Sequence, residues 1–177
     1  AINDFMRPDR VIVGTSGSNA KEVLEKIYKP LYLIETPIQY TELETAELIK
    51  YAANAFLAVK ISYINQIADL CEKVGADVHD VAKGIGLDNR IGMKFLHAGP
   101  GYGGSCFPKD TLALVKTTQQ FGSRISIVEE VIRYNQERRI SMADRIISQF
   151  REGISGKKVS ILGLSFKPET DDMRDSP

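Results

Sequence analysis

Residues 40–73 read YTELETAELIKYAANAFLAVKISYINQIADLCEK, a stretch rich in Ala, Leu, Ile, Glu and Lys that contains neither glycine nor proline. These residues lose little conformational freedom in a helix, and with no breaker among them one long helix is the economical reading. Gly75 follows as a stop, and Asp77 caps a short helix over residues 78–83 before the glycine-broken stretch 84–92. Farther along, Pro108 stands where a helix can begin, and residues 110–121 carry Leu112, Leu114 and Val115 until Gly122 ends them. A second long helix is predicted over residues 125–150. Its apolar stripe comprises Val128, Val131, Ile132, Ile140, Ala143, Ile146 and Ile147, with Arg138, Arg139 and Arg145 outside it, and such a stripe packs against something.

The flanks have a different texture. Pro8-Asp9-Arg10-Val11-Ile12-Val13-Gly14 is a turn followed by a β-branched run, hence a strand. Residues 18–28 have helical spacing stopped by Pro30, and Leu31-Tyr32-Leu33-Ile34, bounded by Pro37, reads as a second strand. Beyond the linker Gly153-Ile154-Ser155-Gly156, Lys158-Val159-Ser160-Ile161-Leu162-Gly163-Leu164 reads as a buried parallel strand opening another α/β unit. A lone strand cannot bury both faces. The predicted fold is therefore mainly α, a long-helix central section flanked by partial α/β pieces, and the chain is read as a fragment. Its expected divisions are 1–38, 39–152 and 153–177. No Gly-x-Gly-x-x-Gly follows a strand anywhere, so the chain carries no dinucleotide fingerprint of its own.

Composition narrows the function. Of 177 residues, 43% are hydrophobic and 26% charged, and 23 basic residues balance 23 acidic ones. A net charge of zero argues against a nucleic-acid-coating surface or a polybasic membrane patch. No apolar run nears the roughly 18 residues of a membrane span, and Ala1 to Pro8 lacks the pattern of a signal peptide, so a cytoplasmic protein is expected. Two cysteines and two histidines are too few for a disulfide framework or a Cys/His zinc site, and no metal is expected.

The sharpest motif is Gly101-Tyr102-Gly103-Gly104-Ser105-Cys106-Phe107-Pro108-Lys109-Asp110. Glycines let backbone amides approach a ligand, and a helix beginning near Pro108 aims its unsatisfied N–H groups at Cys106, which favours a nucleophilic thiolate. Lys109 adds positive charge, and Asp110, one turn on, can polarise a water. The plainer alternative is a small buried cysteine followed by an ordinary first-turn acid.

On the long helix, Lys50 and Asn54 are spaced i, i+4 and project from one face, where together they could donate hydrogen bonds to a developing oxyanion. The same spacing equally suits a Lys50 ion pair with Glu47 or Glu44 and an interhelical amide bond. Arg90 could clamp a phosphate or sugar, although a loop arginine is ordinarily only solvated. Phe95-Leu96-His97-Ala98-Gly99 could line a pocket or form an edge of core. In the tail, Lys167 and Arg174 follow the predicted strand, where α/β sheets bind ligands, and could reach a phosphate.

Taken together, the motifs resemble the UDP-glucose/GDP-mannose dehydrogenase family. Pro8 to Val11 looks like the end of that family's nucleotide-binding domain, and Glu47-Leu48-Ile49-Lys50 through Asn54-Ala55-Phe56-Leu57-Ala58 like its central-helix signature. Residues 101–110 resemble its catalytic-cysteine motif, and Gly163 to Pro168 with Thr170 to Arg174 the opening of its C-terminal domain. The resemblance implies Rossmann-like flanking domains in an α/β full-length protein, a homodimer through the central helices, and oxidation of a nucleotide sugar's primary alcohol to a carboxylate with two NAD+. UDP-glucose is favoured over GDP-mannose by overall likeness. It further implies Cys106 as the nucleophile, Lys50 and Asn54 on the reacting oxygen, and Asp110 organising water or protons. The backbone of Phe95, Leu96, His97, Ala98 and Gly99, with Gly103, would hold the sugar nucleotide. Lys167 would reach it from the C-terminal domain and Arg90 across a dimer interface, with Lys109 and Arg174 near NAD. From another class, a non-catalytic helical dimerisation module would use the same helices.

Overall fold

The computed structural model describes residues 5–32 and 36–177. It forms two compact units, Ala1–Ala52 and Ala53–Pro177.

In the first unit the β-branched run becomes β1 (Val11–Gly14), which pairs in parallel with β2 (Ile38–Thr41) from Val11 opposite Ile38 to Gly14 opposite Thr41. The connection is α1 (Ser18–Tyr32), as a parallel pair requires. Gly14 is needed at the end of β1. A Cβ there would stand 2.6 Å from that of Ala46, on the first turns of α2 (Leu43–Val74).

The second strand is therefore not where the sequence placed it. Leu31 and Tyr32 close α1, Leu33 and Ile34 lie outside the described residues, and β2 begins only after Pro37. The helix also runs through Pro30, which forgoes the hydrogen bond to the Lys26 carbonyl, and it ends two residues later. Ile38, Tyr40 and Thr41, β-branched or aromatic, take the ladder, and the long helix starts three residues later than residue 40.

The second unit holds the rest of α2, then α3 (Val78–Gly86), α4 (Phe107–Gln120) and α5 (Ser126–Ser148). Gly75, at φ +73°, ends α2, and the Asp77 carboxylate accepts the His79 N–H at 2.6 Å to cap α3. That helix runs past the predicted residue 83 to Gly86, where a Cβ would lie 2.9 Å from Met93 Cγ. Along α2 the buried positions Ala55, Ala58, Ser62, Asn65 and Ala68 recur every three or four residues, a narrow stripe of mostly small side chains. Against it lie Tyr102 and Val131, with Phe107 at the edge of the cluster, its ring 6.1 Å from that of Tyr102 and nearly perpendicular to it.

Two further expectations fail in this unit. Residues 158–164 form no strand and are exposed, Leu162 almost completely. A parallel strand needs a neighbouring ladder, and among the described residues none is offered. On α5, Val128 and Val131 are buried as predicted, but Ile140, Ile146 and Ile147 are exposed, and Arg138, assigned to the outside, is 6% exposed. The mainly α character and the partial α/β piece at the N-terminal side are as expected. Among the described residues, no helix is long and apolar enough to cross a membrane.

Candidate active site

Cys106 is the residue from which α4 springs, and it is exposed, so the reading of a buried structural cysteine does not hold. Pro108 lies in the first turn, where its missing N–H costs nothing, and the Asp110 N–H donates to the Cys106 carbonyl at 2.8 Å. The Cys106 sulfur lies 3.8 Å from the Ser105 hydroxyl. Thr111 Oγ1 donates to the carbonyls of Phe107 at 2.7 Å and Pro108 at 3.1 Å, tightening the same turn.

One turn beyond the cysteine, Asp110 is 2% exposed, and its Oδ2 accepts a hydrogen bond from Asn54 Nδ2 at 2.6 Å. The two helices meet there through a charge-assisted bond. Asn54 thus has a partner, as a polar group in a packing segment requires, and that partner is the acid of the cysteine motif. Lys50 stands on α2 within the first unit, its ammonium 5.1 Å from the Tyr51 ring centre.

The glycines before Cys106 serve the chain itself. The Gly104 N–H donates to the Arg174 carbonyl at 3.0 Å, and a Cβ on Gly104 would lie 2.6 Å from the Phe166 ring. A Cβ on Gly103 would run into the Asp175 carbonyl, and Arg139 holds the Ser176 carbonyl at 3.2 Å. The close approach that the sequence assigned to a ligand is made, at 103 and 104, by residues 166–177 (Gly103 itself is buried).

That tail carries two predicted cations, Lys167 and Arg174. The Arg174 guanidinium binds both Asp172 oxygens at 2.8 Å. It is held above its usual pKa first by its hydrogen bonds to the Asp172 carboxylate and then by that carboxylate's charge. The Arg174 hydrogen bonds in turn hold the Asp172 carboxyl down to about 2. Lys167 lies 5.4 Å from the Phe166 ring centre, and Lys109 is exposed on the first turn of α4. Arg90 is elsewhere in use, in a bidentate pair with Asp88 whose shortest contact is 2.6 Å, with its side chain 89% exposed.

The 95–99 segment lies against the same core. Phe95 takes φ +67° and packs its ring 6.1 Å from that of Phe107, Leu96 is buried, and His97 is exposed. Gly99 is held at both its polar atoms, by Asn65 at 2.8 Å and Arg138 at 2.6 Å. Neither residue was predicted, nor was Asn135, which binds Tyr102. The available signal was their spacing, since Asn135 and Arg138 continue the stripe of Val128 and Val131. No cluster of three or more potential metal ligands occurs among the described residues.

An exposed cysteine at a helix start with a buried acid one turn on is an arrangement suited to nucleophilic chemistry. The family model for the central domain of the UDP-glucose/GDP-mannose dehydrogenase family matches residues 44–137, and the chain belongs to that family. It is 60% identical over 179 residues to a UDP-glucose 6-dehydrogenase of Rhizobium meliloti (strain 1021), covering 100% of this chain and 41% of that relative. To the enzyme of the same name from Rickettsia bellii (strain RML369-C) it is 50% identical over 177 residues, again covering 100% of this chain and 41% of the relative. The solved UDP-glucose dehydrogenase of the hyperthermophilic archaeon Pyrobaculum islandicum superposes with a TM-score of 0.92 at 40% identity, covering 99% of this chain and 40% of that one. The chain thus spans about two fifths of the length of these relatives.

Proposed function

We propose that this chain supplies the catalytic cysteine and the sugar-nucleotide loop of an NAD-dependent UDP-glucose 6-dehydrogenase. In this reading residues 1–38 end an NAD-binding domain, 39–152 form the central catalytic and dimerisation domain, and 153–177 open a UDP-sugar-binding domain; the piece alone is inactive. The observation that carries the reading is the exposed Cys106 at the start of α4, with the buried Asp110, hydrogen-bonded to Asn54, one turn behind it. Relatives named UDP-glucose 6-dehydrogenase favour UDP-glucose over GDP-mannose.

Two exposed cations, Lys109 on the first turn of α4 and Arg174, whose carbonyl meets the Gly104 N–H, fit the anionic pyrophosphate of NAD+, while the strand-glycine fingerprint that would hold most of it is absent here. That cofactor would accept the hydride in both oxidations, of alcohol to aldehyde and of thiohemiacetal to thioester. The chain's own residues do the remainder. Cys106 Sγ adds to the aldehyde carbon, forming a C–S bond while the thiol proton passes to the former carbonyl oxygen. Once that carbon is at the acyl level, water adds to it and the C–S bond breaks, returning the thiol and releasing the carboxylate. Lys50 and the Asn54 N–H not given to Asp110 serve the oxygen on the reacting carbon, and Asp110 takes a proton from the attacking water. The backbone of 95–98, with Lys167, holds the sugar nucleotide, Gly99 and Gly103 shape the loop through their contacts within the chain, and Arg90 acts from a dimer partner. Exposed apolar residues on α2 and α5, among them Tyr63, Leu70, Ile127 and Ile140, support pairing of two copies through these helices.

Full-length protein should form two NADH per UDP-glucose and prefer it to GDP-mannose, and Cys106→Ser should stop acid formation. Glucuronate release at the wild-type rate by that variant would overturn the covalent role.

A further inference from the structure

Between α2 and α5 a short piece of irregular backbone is held entirely by side chains. Asn65, 1% exposed, accepts the Gly99 N–H at 2.8 Å, and Arg138 donates Nε–H to the Gly99 carbonyl at 2.6 Å. Asn135, 6% exposed, does the same for Tyr102 alone. Its Oδ1 accepts the Tyr102 N–H at 2.8 Å, and its Nδ2 donates to the Tyr102 carbonyl at 3.0 Å. All four backbone polar groups of the two residues are therefore paired to side chains on two helices. Arg138 is itself fixed by Asp69 at 2.8 and 2.9 Å, by the Tyr134 hydroxyl at 3.1 Å and by the Asn65 carbonyl at 3.2 Å.

This is an expensive way to fill a helix interface. Buried polar groups gain little net stability over well-packed apolar side chains, and they cost much if left half-satisfied. What they add is definition, since a loop without its own ladder acquires one conformation. Gly99 ends the 95–99 segment, and Tyr102 stands four residues before Cys106. We infer that Asn65, Asn135 and Arg138 are positioning residues: by fixing the backbone of Gly99 and Tyr102 they set where the sugar-nucleotide loop and Cys106 meet the substrate carbon. The inference rests on the function proposed above. Displacing a reacting group by about 1 Å can cost on the order of a hundredfold in rate, so loosening one clamp is felt in turnover well before the fold is lost.

The test uses full-length protein carrying Asn135→Ala or Arg138→Lys. The lysine keeps the charge opposite Asp69 but has no Nε–H for Gly99. Each variant should lower kcat and raise KM for UDP-glucose, each about tenfold, and leave KM for NAD+ within about twofold. Amide exchange should speed up at least about tenfold at Tyr102 in the first variant and at Gly99 in the second. A purely structural role predicts instead that Arg138→Lys matches wild type in both KM values and that Asn135→Ala loses only folded fraction; either result overturns the inference. If Asn135→Ala does not fold, Arg138→Lys decides. Should wild-type protein fail to oxidise UDP-glucose, the proposed function falls while the exchange rates at Gly99 and Tyr102 still decide the clamp.

Discussion

Replacing Gly104 by alanine separates two costs that can each be worked from the geometry. The residue sits at φ +78°, where a Cβ opposes the backbone, at about 1–2 kcal/mol for an ordinary L-residue. The new methyl would also stand 2.6, 2.7 and 2.9 Å from Cε2, Cδ2 and Cζ of Phe166. Carbon pairs settle at about 3.5–4.0 Å, so the ring has to leave its place, and overpacking of this kind costs about 1–3 kcal/mol. The sum is about 2–5 kcal/mol. Only the second cost depends on Phe166. In a Phe166→Ala background the methyl meets no ring, and the penalty should fall to the backbone part, leaving a coupling of about 1–3 kcal/mol between the positions. Denaturant unfolding of full-length protein, with both single variants and the double, reads this directly. Were Gly104→Ala equally costly with and without the ring, or cheaper than about 0.5 kcal/mol, the clasp between the glycine loop and the tail would be wrong.

Asn54→Leu removes a charge-assisted hydrogen bond from a carboxylate that is 2% exposed, and equilibrium unfolding should register a loss of about 1.5–3 kcal/mol; an unchanged midpoint would mean that the 2.6 Å contact is idle. Asp172 is held down to about 2 from 3.8, chiefly by its hydrogen bonds from Arg174. A depressed folded pKa contributes stability that is present above 3.8 and is lost as pH falls through about 2, so the tail should loosen over that window. Carboxyl NMR titration should place the Asp172 midpoint near 2, and Arg174→Gln should return it toward 3.8; a wild-type midpoint already at the upper value would refute the pairing.

The helices were legible because their signals are local. An uninterrupted run of helix formers predicted α2 to within a few residues, Gly75 and Gly122 took the positive φ their positions demand, and Asp77 and Pro108 opened helices where they were read to. The strands were legible only where a partner existed. Val11-Ile12-Val13 and Lys158 to Leu164 are similar β-forming runs, yet the first finds β2 and becomes a strand, while the second finds no neighbour among the described residues and stays exposed. Pairing is a property of two segments, and one segment's composition reports only its suitability.

The same distinction explains the site. Cys106 and Asp110 could be read because helix geometry fixes a four-residue relation, and the structure keeps it, with the Asp110 N–H on the Cys106 carbonyl. Gly103 and Gly104 were read as making room, which is correct, but what fills the room depends on a segment some seventy residues away, and the occupant is the chain's own tail. Asn135 and Arg138 were missed for a related reason. A stripe traced by hydrophobicity skips polar members, although Val128, Val131, Asn135 and Arg138 follow one another at helical spacing and all four are buried. A polar residue on such a stripe has to find a partner inside the protein. Here those partners are the backbone groups of Gly99 and Tyr102, so the break in the apolar pattern of α5 marks where the helix grips the loop leading to the cysteine.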